Sequence, residues 1–103
     1  MSDVFSHPWL GGLFGDPEMA ALWSAEAQLA HYTAFEVALA HALEAAGRVP
    51  AGHGAGAAAS LAAHAIDPVS LAGDVARDGL PIPALVRRWR AADTDHADAI
   101  HTG

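Results

Sequence analysis

Residues 24–47 read SAEAQLAHYTAFEVALAHALEAAG, and this stretch decides the fold. Ser24 is a good helix cap, and Glu26 puts negative charge near the positive end of the helix dipole. No glycine or proline follows until Gly47, which supplies a left-handed stop. Leu29, Tyr32, Phe35, Leu39 and Leu43, with Leu22 ahead of them, recur at helical spacing and predict one apolar side. Glu36 falls inside that stripe. It lies either at the edge of the stripe or buried with a partner.

Working outward, Asp16-Pro17-Glu18 combines a capping acid, a proline at the first helical position and a first-turn acid, so a helix starts there. Residues 1–15 carry Pro8, Gly11, Gly12 and Gly15 and are expected to be an irregular arm. Phe5, Trp9, Leu10, Leu13 and Phe14 make it too apolar for a free tail. It is expected to pack on a neighbouring surface, in this chain or another. Downstream, Gly47-Arg48-Val49-Pro50 reads as a turn between helices. Residues 51–65, alanine with three glycines, permit a weak helix. Asp67-Pro68 starts another helix, running to Asp78-Gly79. Leu80-Pro81-Ile82-Pro83 is expected to be extended, because each proline restricts the residue before it. Ala84 to Ala92 then forms a short helix with Leu85, Val86 and Trp89 on one side. Asp93 to Asp98 is a polar helix start, and Ile100-His101-Thr102-Gly103 opens a loop. The expected fold class is all-α, a small multi-helix domain with an irregular N-terminal arm.

Composition narrows the function. A chain of 103 residues is one domain, and it buries only about 60–65% of its unfolded surface. The hydrophobic fraction is 52%, but 26 of those residues are alanine, which buries little. The core should therefore be lean, and the chain gains from covering a face against a partner. The net charge is −7, with five arginines and no lysine. That is a poor match for nucleic acid or an anionic membrane surface. The absence of cysteine excludes disulfides and thiol chemistry. With no signal-like or membrane-length segment, a cytoplasmic protein is expected.

Few residues announce chemistry. His7, His31, His41, His53, His64, His96 and His101 include no pair at i, i+4, so no metal site and no cofactor is expected. Glu36 could be a catalytic acid, but a buried carboxylate satisfied by hydrogen bonds is the stronger reading. Arg87, Arg88 and Arg90 could clamp an anion. A solvated helix face is favoured, since consecutive residues point different ways. There is no phosphate-binding glycine loop and no G-x-S-x-G elbow.

The ordered motifs nevertheless resemble those of a known superfamily. Asp16-Pro17-Glu18-Met19-Ala20-Ala21-Leu22-Trp23-Ser24, Phe35-Glu36-Val37-Ala38-Leu39-Ala40 and Gly47-Arg48-Val49-Pro50 resemble the opening segments of the fumarase/aspartase superfamily. Gly79-Leu80-Pro81-Ile82-Pro83-Ala84-Leu85-Val86 resembles its "G-x-P-x-P-x-L-V" segment. Ile100-His101-Thr102-Gly103 resembles the start of "V-H-x-G-x-T-S-x-D", the first of three active-site regions. Each motif is weak alone; their order over nearly the whole chain is what makes the likeness. Within the superfamily the chain most resembles the 3-carboxy-cis,cis-muconate cycloisomerases. Adenylosuccinate lyase is the alternative. Its phosphate-contacting Arg-Tyr pair corresponds here to Leu13-Phe14, and its Arg-His-Asp segment to Arg77-Asp78-Gly79.

The resemblance implies that residues 16–103 are the helical N-terminal domain of a cycloisomerase or lyase, cut before the rest of the enzyme. It implies an intramolecular lyase reaction, in which a carboxylate of 3-carboxy-cis,cis-muconate closes a lactone during protocatechuate breakdown. The substrate would be a tricarboxylate. His101 would donate a hydrogen bond or proton to it, with Thr102 beside it in the binding segment. The chain is expected to be inactive alone, and to self-associate or dock on the missing part of the enzyme. One general acid supplies roughly 3–5 kcal/mol, whereas such a reaction needs about 10 kcal/mol or more. The competing expectation is a stand-alone helical interaction or oligomerisation module.

Overall fold

The computed structural model describes residues 3–103, and among them the regular structure is entirely helical. Six α-helices follow in order: α1 (Leu10–Phe14), α2 (Pro17–Leu22), α3 (Ala25–Ala45), α4 (His53–Ala63), α5 (Ala72–Asp78) and α6 (Ile82–Ala92). Two 3-10 turns, Pro68–Leu71 and Ala97–Ala99, complete the set. No helix among the described residues is long and apolar enough to cross a membrane.

The caps explain the boundaries. Asp16 accepts the Met19 N–H to start α2, and the Ser24 hydroxyl accepts the Ala27 N–H to start α3. At the far end Gly47 adopts φ 69°, the Arg48 N–H reaches the Leu43 carbonyl, and the Gly47 N–H reaches that of Glu44. This paired closure satisfies carbonyls that the helix leaves open. Asp67 caps the first 3-10 turn by accepting the Val69 N–H.

Packing is centred on α3 against α4, an antiparallel hairpin. Gly54 lets the two helices touch. A Cβ there would collide with the Ala40 carbonyl oxygen and lie 2.6 Å from the Glu44 Cβ. Glu44 then accepts the Ala55 N–H at 3.1 Å, so α3 caps the first turn of α4. Ala57, Ala58, Leu61, Leu85, Trp89 and Ile100 fill the space beneath. Alanine is a principal core residue here, because only small side chains permit so close a helix pair.

Three expectations are corrected. The arm is not wholly irregular: α1 is a helical turn containing Gly11 and Gly12. The His7 Nδ1 accepts the N–H groups of Trp9 and Leu10, which offsets a glycine cost of about 1 kcal/mol each. Met1 and Ser2, the start of the expected arm, lie outside the described residues. Residues 80–83 are not an extended run. Pro81 is near-helical (φ −82°, ψ −20°), and Ile82 and Pro83 form the first turn of α6. A proline there needs no N–H partner, and α6 gains by burying Leu85 and Trp89. Finally, the apolar stripe of α3 holds only in part: Leu43 is buried and Leu29 and Tyr32 pack against the core, but two members fall outside it. Phe35 and Leu22 are exposed, and Leu22 belongs to the separate helix α2. The buried line is Glu36, Ala40 and Leu43, spaced i, i+4, i+7, because that side faces α4.

Candidate functional site

Glu36 is the one charged residue buried among those described, 4% exposed, and its carboxylate is fully occupied. Oε1 lies 2.6 Å from the His101 Nδ1, and Oε2 accepts the His101 backbone N–H at 3.0 Å. The two residues are 65 positions apart in sequence. The reading of Glu36 as a buried carboxylate with hydrogen-bond partners describes what is found.

The loop holding His101 is fixed from three directions. Ile100 is completely buried and anchors the segment in the core. Arg90 on α6 donates from Nε and Nη2 to the Ile100 carbonyl at 3.2 and 2.8 Å, and its Nη2 lies 3.5 Å from the His101 carbonyl. Glu36 holds the next residue by its N–H and its ring. His101 itself adopts φ 53°, the sole positive φ at a non-glycine among the described residues. Such a conformation costs free energy and persists only where several contacts fix it.

This arrangement leaves the imidazole with one usable nitrogen. Nδ1 is taken by Glu36, so Nε2 is the atom available to a ligand, on a side chain 47% exposed. With Nδ1–H donated to the carboxylate, a neutral ring presents Nε2 as an acceptor or base. An imidazolium presents it as a donor, with the Glu36 carboxylate balancing its charge. Thr102, the other residue expected at the site, is exposed beside His101. Its hydroxyl is turned back to donate to the Ile100 carbonyl at 3.3 Å.

The other candidates are placed elsewhere. Arg87 and Arg88 lie near Asp74, which Arg77 also contacts, and Arg88 donates to the Ser70 hydroxyl and carbonyl. The hydrogen bond from Arg77 to Asp78 holds that carboxyl below its ordinary range. Arg87 and Arg88 thus meet at one carboxylate, and Arg90 alone serves the His101 loop. The seven histidines do not converge: among the described residues no group of three or more metal-ligating side chains forms. Two of them do meet. His53 contacts Asp98 at 3.0 Å, His96 contacts Asp93 at 2.9 Å, and the rings stand edge-to-face 5.3 Å apart.

Sequence reasoning missed the link between Glu36 and His101, and the part played by Arg90. The available signal was Glu36 within an apolar stripe, since a buried carboxylate demands a donor. Nothing local chose that donor among seven histidines and five arginines. No protein-family profile and no curated protein matches this chain.

Proposed function

We propose that this chain supplies the first histidine segment of a fumarase/aspartase-type active site, in an enzyme of the 3-carboxy-cis,cis-muconate cycloisomerase kind. The observation that carries this reading is the held conformation of His101. Its ring and N–H are both bound by the buried Glu36, at a φ of 53°. A histidine so fixed presents Nε2 in one direction, as positioning a substrate carboxylate or moving a single proton requires.

In the forward step one substrate carboxylate oxygen bonds to a carbon of the conjugated diene. The breaking π bond places its electrons on the neighbouring carbon, charge builds on the adjoining carboxylate, and that carbon then takes a proton from a general acid supplied from outside the described residues. As imidazolium, His101 donates from Nε2 to that carboxylate, and Glu36 keeps the ring oriented. Cations for the remaining carboxylates have to come from outside the described residues near the loop, since Arg90 is committed to backbone carbonyls. The chain alone is therefore proposed to bind weakly and not to turn over. A cytoplasmic setting accords with the acidic, cysteine-free composition.

The test is a titration of the isotope-labelled chain with 3-carboxy-cis,cis-muconate, following the His101 ring by NMR. The expected result is a saturable shift at His101 and Thr102 that is lost in Glu36→Gln, with no loss of diene absorbance. An unchanged His101 ring sinks the site, and turnover by the chain alone sinks the claim of inactivity. A shift produced by adenylosuccinate and not by the muconate transfers the reading to the other lyase.

A further inference from the structure

The N-terminal region exposes more apolar surface than its own chain covers. Phe5, Trp9, Leu13, Phe14 and Trp23 are between 61% and 82% exposed. The main helix contact of this region is α2 on α3. The molecule is correspondingly long, 56 × 26 × 21 Å, with a radius of gyration of 17.2 Å. A compact chain of this length would have a radius of about 13 Å.

The body carries a complementary feature. An open groove of about 510 Å³ runs between α3 and the segment after α4, with Leu29, Ala30, Ala34, Ala62, Ile66 and Pro68 among its lining. Ala30, Ala34 and Ala62 are solvent-exposed. Alanines along both walls leave room for bulky rings, whereas the arm's own groove, about 460 Å³, is already walled by Phe5, Phe14 and Trp23. The titratable side chains of the lining, Glu26 and His64, are both on exposed residues, so they can keep water when an aromatic is seated beside them.

We infer that the groove receives the arm, residues 3–23, of a second copy of this chain, and that two copies exchange arms about a twofold axis. Area favours this occupant. Five such side chains at this exposure present about 700 Å² per arm. Two exchanged arms then contribute about 1,400 Å² before the groove surface is counted. Stable interfaces bury about 1,200–2,000 Å² in total. Reciprocal exchange also closes the assembly at two copies, whereas one-way insertion would propagate into a chain of molecules. The inference does not depend on the role of His101.

Sedimentation equilibrium on the full chain tests it, with the far-ultraviolet helix signal as a check on folding. The wild type is expected at twice its mass of 10.6 kDa. An arm variant, Trp9→Ala with Phe14→Ala, and a groove variant, Ala30→Glu with Ala62→Glu, should each dissociate about 30-fold or more readily. Mixed together, the two variants retain one intact arm-in-groove contact, so the mixture should dimerise more than either alone. A monomeric wild type overturns the inference and leaves the face to another partner. A dimer that survives the groove variant overturns the groove as the seat, whether arms pair with arms or the contact lies elsewhere. Should the arm variant lose its helix signal, the groove variant decides alone, because its substitutions sit on exposed helix positions.

Discussion

The N-terminal arm and the α3–α4 hairpin invert the usual relation between side-chain size and burial. Trp9 and Trp23 in the arm are 82% and 71% exposed, whereas Ala40 and Ala57 in the hairpin are 0% exposed. The difference shows that in this alanine-rich chain the core is set by how closely two backbones approach. The large apolar side chains that are buried, Leu61 and Leu71, Leu85 and Trp89 on α6, and Ile100, gather around that close contact.

The largest test of this contrast is Trp89→Ala against Trp9→Ala. Trp89 is 2% exposed, and its truncation should cost about 3–5 kcal/mol, a large share of the stability of a domain this size. Trp9→Ala should stay within about 0.5 kcal/mol in dilute solution. Urea denaturation of both variants settles the matter, and equal midpoints would break the comparison. Next comes Gly54→Ala. In an open helix this change is favourable by about 1 kcal/mol; here it should be unfavourable by about 1–3 kcal/mol, because the new Cβ strikes α3. A gain in melting temperature would show that the helices are not held as close as described.

Glu36→Gln should be milder, about 1–2 kcal/mol, since half of the partnered imidazole faces water. Its signature is local: amide exchange should quicken at His101 while the α3–α4 hairpin keeps its protection. Uniform quickening would mean that Glu36 serves the whole core. The smallest effect separates the two regions by charge. In the body Asp78 is held below its ordinary pKa by Arg77, and in the arm Asp3 is lowered by the backbone N–H groups of Ser6 and Phe5. For both, the folded pKa lies below the unfolded one. Their support is thus present above about pH 4 and is lost as pH falls through the folded value. Asp3 is exposed and Asp78 is half-buried beside an exposed Arg77, so the Asp78 contribution should shrink with added salt. Acid melts of Asp78→Asn at low and high salt should converge with wild type in the latter.

Much of the helical order was legible from caps and breakers. Asp16, Ser24, Gly47 and Asp67 each do locally what their residue type predicts, because a cap depends on neighbours within four positions. The face of α3 was legible only in part: Leu29, Tyr32 and Leu43 lie on the core side, but Phe35 does not. Phe35 and Leu39 outweigh Ala40 on any hydropathy scale, and the choice of Ala40 depends on Gly54 in another helix. The candidate site was legible by halves. His101 and Thr102 came from a motif resemblance, and Glu36 from its odd place in an apolar stripe. Their union needed Ile100 and Arg90 to bring the chain back to α3, which local pattern does not encode.

The span between Glu36 and His101 has a kinetic consequence. The α3–α4 hairpin joins neighbours along the chain and closes a short loop, so it can form early in folding. The His101 latch instead closes a loop of 65 positions, and its contacts require the Ile100 anchor and Arg90 to be in place. The geometry of His101 therefore depends on everything between it and α3, and a perturbation anywhere along the intervening path reaches it.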